Sequence, residues 1–160
     1  MNRENNQPGK NANKEIILKD YRLANLSRSL SIIGRKEVLT GKAKFGIFGA
    51  GKELIQIALA KQFMDGDWRS GYYRDQTFML AAGLLNPEEF FSQIYGDTDI
   101  ENNPSTAGRN FNNHHATRNY GIENGLDNLL EHKNSSSDVS STAGQMPRLL
   151  GLAHASKLVR

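Results

Sequence analysis

The sequence predicts a helix-rich α/β chain, and three observations carry that prediction. Apolar residues recur at steps of three and four over much of the length, the spacing that gathers them on one face of a helix. A short aromatic segment at residues 68–73 has the length and composition of a strand or an extended connector. Asn86-Pro87-Glu88-Glu89 spells a helix start, with a side chain that caps, a proline suited to the first helical position and two acids that complement the helix dipole.

Composition narrows the class further. A length of 160 residues suits one domain whose core covers about two-thirds of the unfolded surface. The hydrophobic share of 38% and charged share of 23% are those of an ordinary folded protein. Net charge is +3, yet Lys and Arg are scattered among acids, which argues against a nucleic-acid or membrane-surface partner. The absence of cysteine removes disulfide scaffolds, thiolate metal sites and cysteine nucleophiles together. The first residues lack the apolar core of a signal peptide and no apolar run is long enough for a membrane span, so a cytoplasmic protein is expected.

Each element follows from local chemistry. Residues 1–13 are Asn-rich and charged with nothing to bury, and a disordered leader is expected there, with order from about Lys14. Ile17, Tyr21 and Ala24, then Leu26, Leu30 and Ile33, predict a long amphipathic helix to about Leu39 with a break at Gly34. Gly41, Gly46, Gly49 and Gly51 make the next segment a loop whose backbone approaches something closely. Residues 52–63 are helical again, with Leu54, Ile57 and Ala58 on the packed face, and Asp65-Gly66-Asp67 ends the helix. After the aromatic segment comes a helix over residues 75–84, and then the Asn86-capped one carrying Phe90, Phe91, Ile94 and Tyr95. Residues 96–138 read as a long polar loop, interrupted by a short amphipathic piece around Leu126 and Leu130; a loop of that length is functional or disordered, and its two adjacent histidines favour function. A final helix opens at Pro147 and runs to Arg160, with Met146, Leu149, Leu150 and Ala153 on one stripe.

Three segments carry candidate chemistry. In Gly71-Tyr72-Tyr73-Arg74-Asp75, Arg74 offers a permanently charged planar fork and Tyr73 a hydroxyl on a rigid ring, at the edge where an apolar stretch gives way to a helix. Such an edge suits a diphosphate; the competing reading pairs Arg74 with a neighbouring acid, buries Tyr73 and makes Asp75 a helix cap. Arg109 and His114 lie in Gly108-Arg109-Asn110-Phe111-Asn112-Asn113-His114, where the histidine either relays a proton or is simply solvated. Ser140-Ser141-Thr142 opens a hydroxyl-rich turn, read as strand-free, that leads into a helix N-terminus; it is either a ligand contact or a helix cap at Ser141 or Thr142. The loop from Gly46 to Gly51 either lines the same cleft with Phe48, with Glu53 facing inward, or is a tight turn before a helix, and no catalysis is assigned there.

These pieces occur in a telling order. A helix, a glycine-rich loop, a Gly51-Lys52-Glu53 helix, Tyr72-Tyr73-Arg74-Asp75, Asn86-Pro87-Glu88-Glu89, Gly108-Arg109 with its histidine, and Ser140-Ser141-Thr142-Ala143-Gly144-Gln145-Met146-Pro147 follow one another. The ordered set resembles the N-terminal part of the alpha subunit, or alpha half, of the thiamine-diphosphate-dependent decarboxylating component of 2-oxoacid dehydrogenase complexes, closest to the branched-chain (2-oxoisovalerate) type. The likeness covers residues 14–160, with Phe111-Asn112 in place of the family's Met-Pro and Ser140-Ser141 in place of its Ser-Pro.

The resemblance implies helices around a parallel sheet, most of whose strands are missing here. It implies that Tyr73 and Arg74 hold the cofactor's diphosphate, that Ser140, Ser141 and Thr142 contact its aminopyrimidine ring, and that Arg109 and His114 lie near the substrate entrance. Magnesium accompanies the diphosphate in the family, on ligands that lie beyond this chain, and some members hold potassium at the serine turn. The family's general base and proton donors also lie downstream or on a beta subunit, so no catalytic residue is assigned. The partners implied are that beta subunit or beta half and the lipoyl-bearing acyltransferase that accepts the acyl group. The chain is therefore expected to be a partial thiamine-diphosphate-binding domain, truncated and stable when a partner covers its apolar stripes. A non-catalytic helical module at a subunit interface is the alternative.

Overall fold

The computed structural model describes residues 10–118, 120–121, 125–126 and 128–159. Helix α1 spans Lys10–Leu39, so helix already occupies the end of the stretch expected as a leader, and residues 1–9 lie outside the described residues. Gly34 does not break it. A Cβ there would lie 2.5 Å from Phe48 Cε1 and 3.0 Å from Ile94 Cδ1, so this glycine is the place where two side chains press against the helix backbone. Leu30 of α1 packs with Met79, Leu80, Leu85, Phe90 and Ile94 in the apolar core.

Helix α2, Glu53–Ala60, is shorter than expected and rotated: Ile57 is buried as expected, but Leu54 and Ala58 face out. Its buried residues are Glu53, Gln56, Ile57 and Ala60, whereas Leu54 is 77% exposed. Polar contacts decide this face: Arg28 grips Glu53 with two bonds of 2.7 and 2.9 Å, and Gln56 donates to the Arg74 carbonyl and accepts from the Phe78 N–H. Leaving those buried groups unpaired would cost more than exposing a leucine.

Strand β1, Trp68–Tyr72, confirms the strand reading of the aromatic segment. Helix α3, Gln76–Ala82, ends on Gly83 in the left-handed conformation, and α4, Pro87–Tyr95, begins with Asn86 and Glu89 in a reciprocal capping box. The stretch expected as one polar loop is more structured than its composition suggested. Two-residue strands β2, Tyr120–Gly121, and β3, Gly125–Leu126, pair antiparallel, and β4, Asn134–Val139, pairs parallel with β1. Polar side chains take the place of apolar ones in β4: Asn134 Nδ2 donates to the Leu129 and His132 carbonyls, and Ser136 Oγ to the Arg69 carbonyl.

Helix α5, Gln145–Val159, starts two residues before Pro147, which sits in the first turn where its missing N–H is not needed. The helix packs on β1, while Met146, Leu149 and Leu150 of the expected stripe stand exposed. Helices beside a small parallel sheet make this a helix-rich α/β fold. Among the described residues no helix is long and apolar enough to cross a membrane.

Phe90 is fully buried at the centre of the α1, α3 and α4 packing. Phe90→Ala is expected to cost about 3–5 kcal/mol, read as a lower urea midpoint with an unchanged slope.

Candidate functional site

The two parallel strands end side by side. β1 stops at Tyr72 and β4 at Val139, which are ladder partners, so Tyr73-Arg74 and Ser140-Ser141-Thr142 leave the same edge of the sheet. Carboxyl ends of parallel strands are where open α/β sheets bind ligands. Side chains then join the two exits. The Tyr72 hydroxyl donates to that of Tyr73, and it is held below the ordinary tyrosine value, first by Tyr73 and then by Thr142. Tyr73 is pushed above that value by the same bond. Its ring stacks on His114 at 6.4 Å, and the Arg74 guanidinium lies over the same ring, 5.2 Å from its centre.

His114 is buried, contrary to the expectation of a solvated loop histidine. Its Nδ1 faces two carbonyls, Phe111 at 3.1 Å and Asn112 at 3.2 Å, so that nitrogen carries the proton. In the neutral ring Nε2 is then an acceptor, and it meets the Ser140 hydroxyl. Arg109 is exposed, and its backbone N–H closes a turn onto Thr106; among the described contacts its side chain does not reach the cluster.

Arg74 opens onto a cleft of about 540 Å³ lined also by Arg35, Gly46, Ile47, Phe48 and Ala50. The carboxylate expected to compete for it is engaged elsewhere, because Asp75 pairs with Arg69; among the described residues Arg74 forms no ion pair. Asp75 stands at the helix N-cap position without capping, since its side chain turns back to accept from the Tyr72 N–H. The backbone of Arg74 is fixed from below: Gln56 donates to its carbonyl, and Gly49 approaches so closely that a Cβ would lie 2.4 Å from that oxygen. The loop amides of Ile47, Gly49 and Gly51 are already spent on Asn112, Gln76 and Glu53. The guanidinium groups of Arg35 and Arg74 are the charged donors among the residues lining this cleft, and their chemistry fits a diphosphate.

Residues 21–143 match the family described as the dehydrogenase E1 component, well over half of the chain. The chain belongs to that family. No curated protein matches it. Dehydrogenase E1 components generally use thiamine diphosphate and work with other subunits of 2-oxoacid dehydrogenase complexes. The match takes in the Tyr73-Arg74 exit, His114 and the Ser140-Ser141-Thr142 exit together.

Under these exits the E1 chain carries a buried charge cluster that the sequence reading missed. Arg69 Nη2 lies 2.9 Å from Asp75 Oδ2 and 2.8 Å from Asp138 Oδ1, and Nη1 donates to Ser135 Oγ at 2.7 Å. No N–H is well aimed at Asp138 Oδ1, while Oδ2 accepts from the His115 backbone. An Arg inside the aromatic segment, followed by Ser70 and Gly71, was the available signal; Asp75 lies six positions on, but Ser135 and Asp138 lie 66 and 69 positions away. Two carboxylates face one guanidinium, and burial pushes Asp138 up to about 7 against the pull of Arg69. Burial, followed by the charges of Arg69 and His114, pushes His115 down to about 3.

These opposite shifts give a linked prediction. Asp138 is raised, so its contribution to stability is complete below 3.8 and is lost as pH rises through about 7. His115 is lowered, so its contribution is complete above 6.5 and is lost as pH falls through about 3. Between 3.8 and 6.5 the folded chain holds the Asp138 proton and the unfolded chain the His115 proton, and the counts balance. Asp138→Asn leaves His115 unopposed, so its unfolding constant should rise on acidification by up to about tenfold per pH unit relative to the wild type. His115→Gln should show the opposite slope. Urea midpoints over this pH range check both.

Proposed function

We propose that this chain forms part of the thiamine-diphosphate site in the alpha subunit of a 2-oxoacid dehydrogenase of branched-chain type, with Tyr73 and Arg74 on the diphosphate and Ser140, Ser141 and Thr142 on the aminopyrimidine ring. The convergence of two sequence-distant segments at one sheet edge, beside a cleft lined by Arg35 and Arg74, neither of which forms an ion pair among the described residues, is the observation that carries this reading. When bound, the cofactor supplies the carbanion stabilisation for decarboxylating a 2-oxoacid. The chain's own part is to hold and orient it. His114, fixed as the Nδ1–H tautomer by two carbonyls, holds Ser140 in place from below, and Arg109 is left at the substrate side by resemblance alone.

Among the described residues no group of three or more His, Cys, Asp or Glu side chains is placed to hold a metal, so this reading takes the magnesium ligands from outside them. Potassium is left out of the proposal, because the Ser140 and Thr142 hydroxyls are engaged by His114 and Tyr72 and the Ser141 carbonyl accepts from Gly144. A beta subunit or beta half, a lipoyl-bearing acyltransferase and a cytoplasmic location complete the proposal. The exposed apolar stripe of α5 favours a second reading, a non-catalytic module whose business is a subunit interface.

Calorimetric titration with thiamine diphosphate and magnesium separates the two. Binding that weakens at least about tenfold in Arg74→Ala, as expected for loss of a charge-assisted contact worth about 1.5–3 kcal/mol, supports the cofactor site. A wild-type chain that gives no heat supports the interface module.

A further inference from the structure

Parallel pairing alone does not align the two exits. The β1–β4 register is regular from Trp68 to Ser70 and then shifts before Tyr72 meets Val139, so the ladder is irregular at the step that feeds the site. Side chains fill that step. A Cβ on Gly71 would lie 1.8 Å from Arg69 Nη2 and 2.2 Å from Asp138 Oδ1, which means that guanidinium and carboxylate occupy the space over the irregularity. The φ of Gly71 is not in the left-handed region, so room, not backbone conformation, is what requires glycine here.

We propose that Arg69 is a positioning residue whose guanidinium, bridging Asp75 and Asp138, locks the end of β1 to the end of β4 and so sets where residues 72–74 stand relative to residues 140–142. The links are short and continuous. Arg69 pairs with Asp75 Oδ2, and that same oxygen accepts the Tyr72 N–H at 2.9 Å, so the backbone of the first site tyrosine hangs on the clamp. On the other strand Asp138 precedes Val139, the ladder partner of Tyr72, and its Oδ2 holds His115, which brings the His114 segment into the same frame. Phe78 lies 5.4 Å below the guanidinium and Ser135 takes Nη1, which fixes the plane of the fork. A lysine would keep the charge but, as a single ammonium, would not reproduce a planar bridge across two carboxylates and a hydroxyl.

The functional weight of this clamp rests on the reading of the strand ends as the cofactor site, but its test uses no ligand, so the two fail separately. Native-state hydrogen exchange of the chain by NMR, comparing wild type with Arg69→Lys, reads the clamp directly. The Tyr72 amide is expected to exchange at least about tenfold faster in the variant, and the nuclear Overhauser contact between the Tyr72 ring and the Thr142 methyl to disappear, while the amides of Met79 and Phe90 keep their wild-type rates. An unchanged Tyr72, or a uniform acceleration of all amides, overturns the proposal. Asp75→Ala, which leaves the Arg69–Asp138 pair in place and removes its link to Tyr72 together with the Gln56 contact, serves if Arg69→Lys does not fold. Local loss at Tyr72 in that variant supports the clamp, and wild-type protection there overturns it.

Discussion

Gln76 is where the structure is tied together. With no exposure at all, its amide nitrogen donates to the Ser27 carbonyl and Ser31 hydroxyl of α1, and its oxygen accepts from the Gly49 amide and Asn113. One side chain thereby satisfies the long helix, the glycine-rich loop and the histidine-bearing segment at once. It is the first residue of α3, directly after Arg74-Asp75, so every group that positions Gln76 also positions the arginine above it. A buried amide with all its partners present is rigid and specific, whereas the same amide missing one partner carries the full cost of desolvation, about 1–3 kcal/mol. Replacing any of these polar groups therefore reaches the cleft, whose wall Ser31 itself lines.

This reliance on polar burial reverses the usual layout. Gln76, Thr77, Asn103, Asn112, Asn113, His115 and Asn134 are inside, while Ile17, Tyr21, Ile32, Leu54, Ile55, Leu150 and Leu158 are outside. Hydrogen bonds to backbone and other side chains hold Gln76, Asn103, Asn112 and Asn134 of the inner set; the outer set forms apolar strips on α1, α2 and α5. Exposed strips of this extent are the mark of surfaces that meet other subunits, in keeping with a family whose members work as parts of larger complexes.

The sequence made some of this plain and hid the rest for physical reasons. Asn86, Pro87 and Glu89 announce α4 because a capping box is local chemistry, complete within four residues. The glycine-rich loop announced close backbone approach, and the partner turned out to be the Arg74 carbonyl. Strand β4 was missed because Asn-Ser-Ser-Ser-Asp has none of the β-branched character that marks a strand, and its stability comes from side chains that bond to a distant backbone. The buried face of α2 was misjudged for the same reason: Leu54 looked like core until Arg28, 25 residues earlier, claimed Glu53. Tyr73-Arg74 and Ser140-Ser141-Thr142 were legible one by one, but the Arg69 bridge that holds them together depends on a pairing that no local pattern encodes.

The parallel pairing of β1 and β4 also bears on how the molecule comes into being. Arg69 and Ser135 are 66 positions apart, and between them lie two helices and the polar segment. Contacts so far apart in the chain form late, after the loop-closure entropy has been met by nearer ones, and a strand as hydrophilic as β4 has little drive to find its place by collapse. The helices have their apolar core to gather them early; the sheet edge has only a buried ion bridge, which gains nothing until both strands are already in register. Assembly of the cleft is thus expected to be the slow closing step of folding, with a helical intermediate that lacks the site.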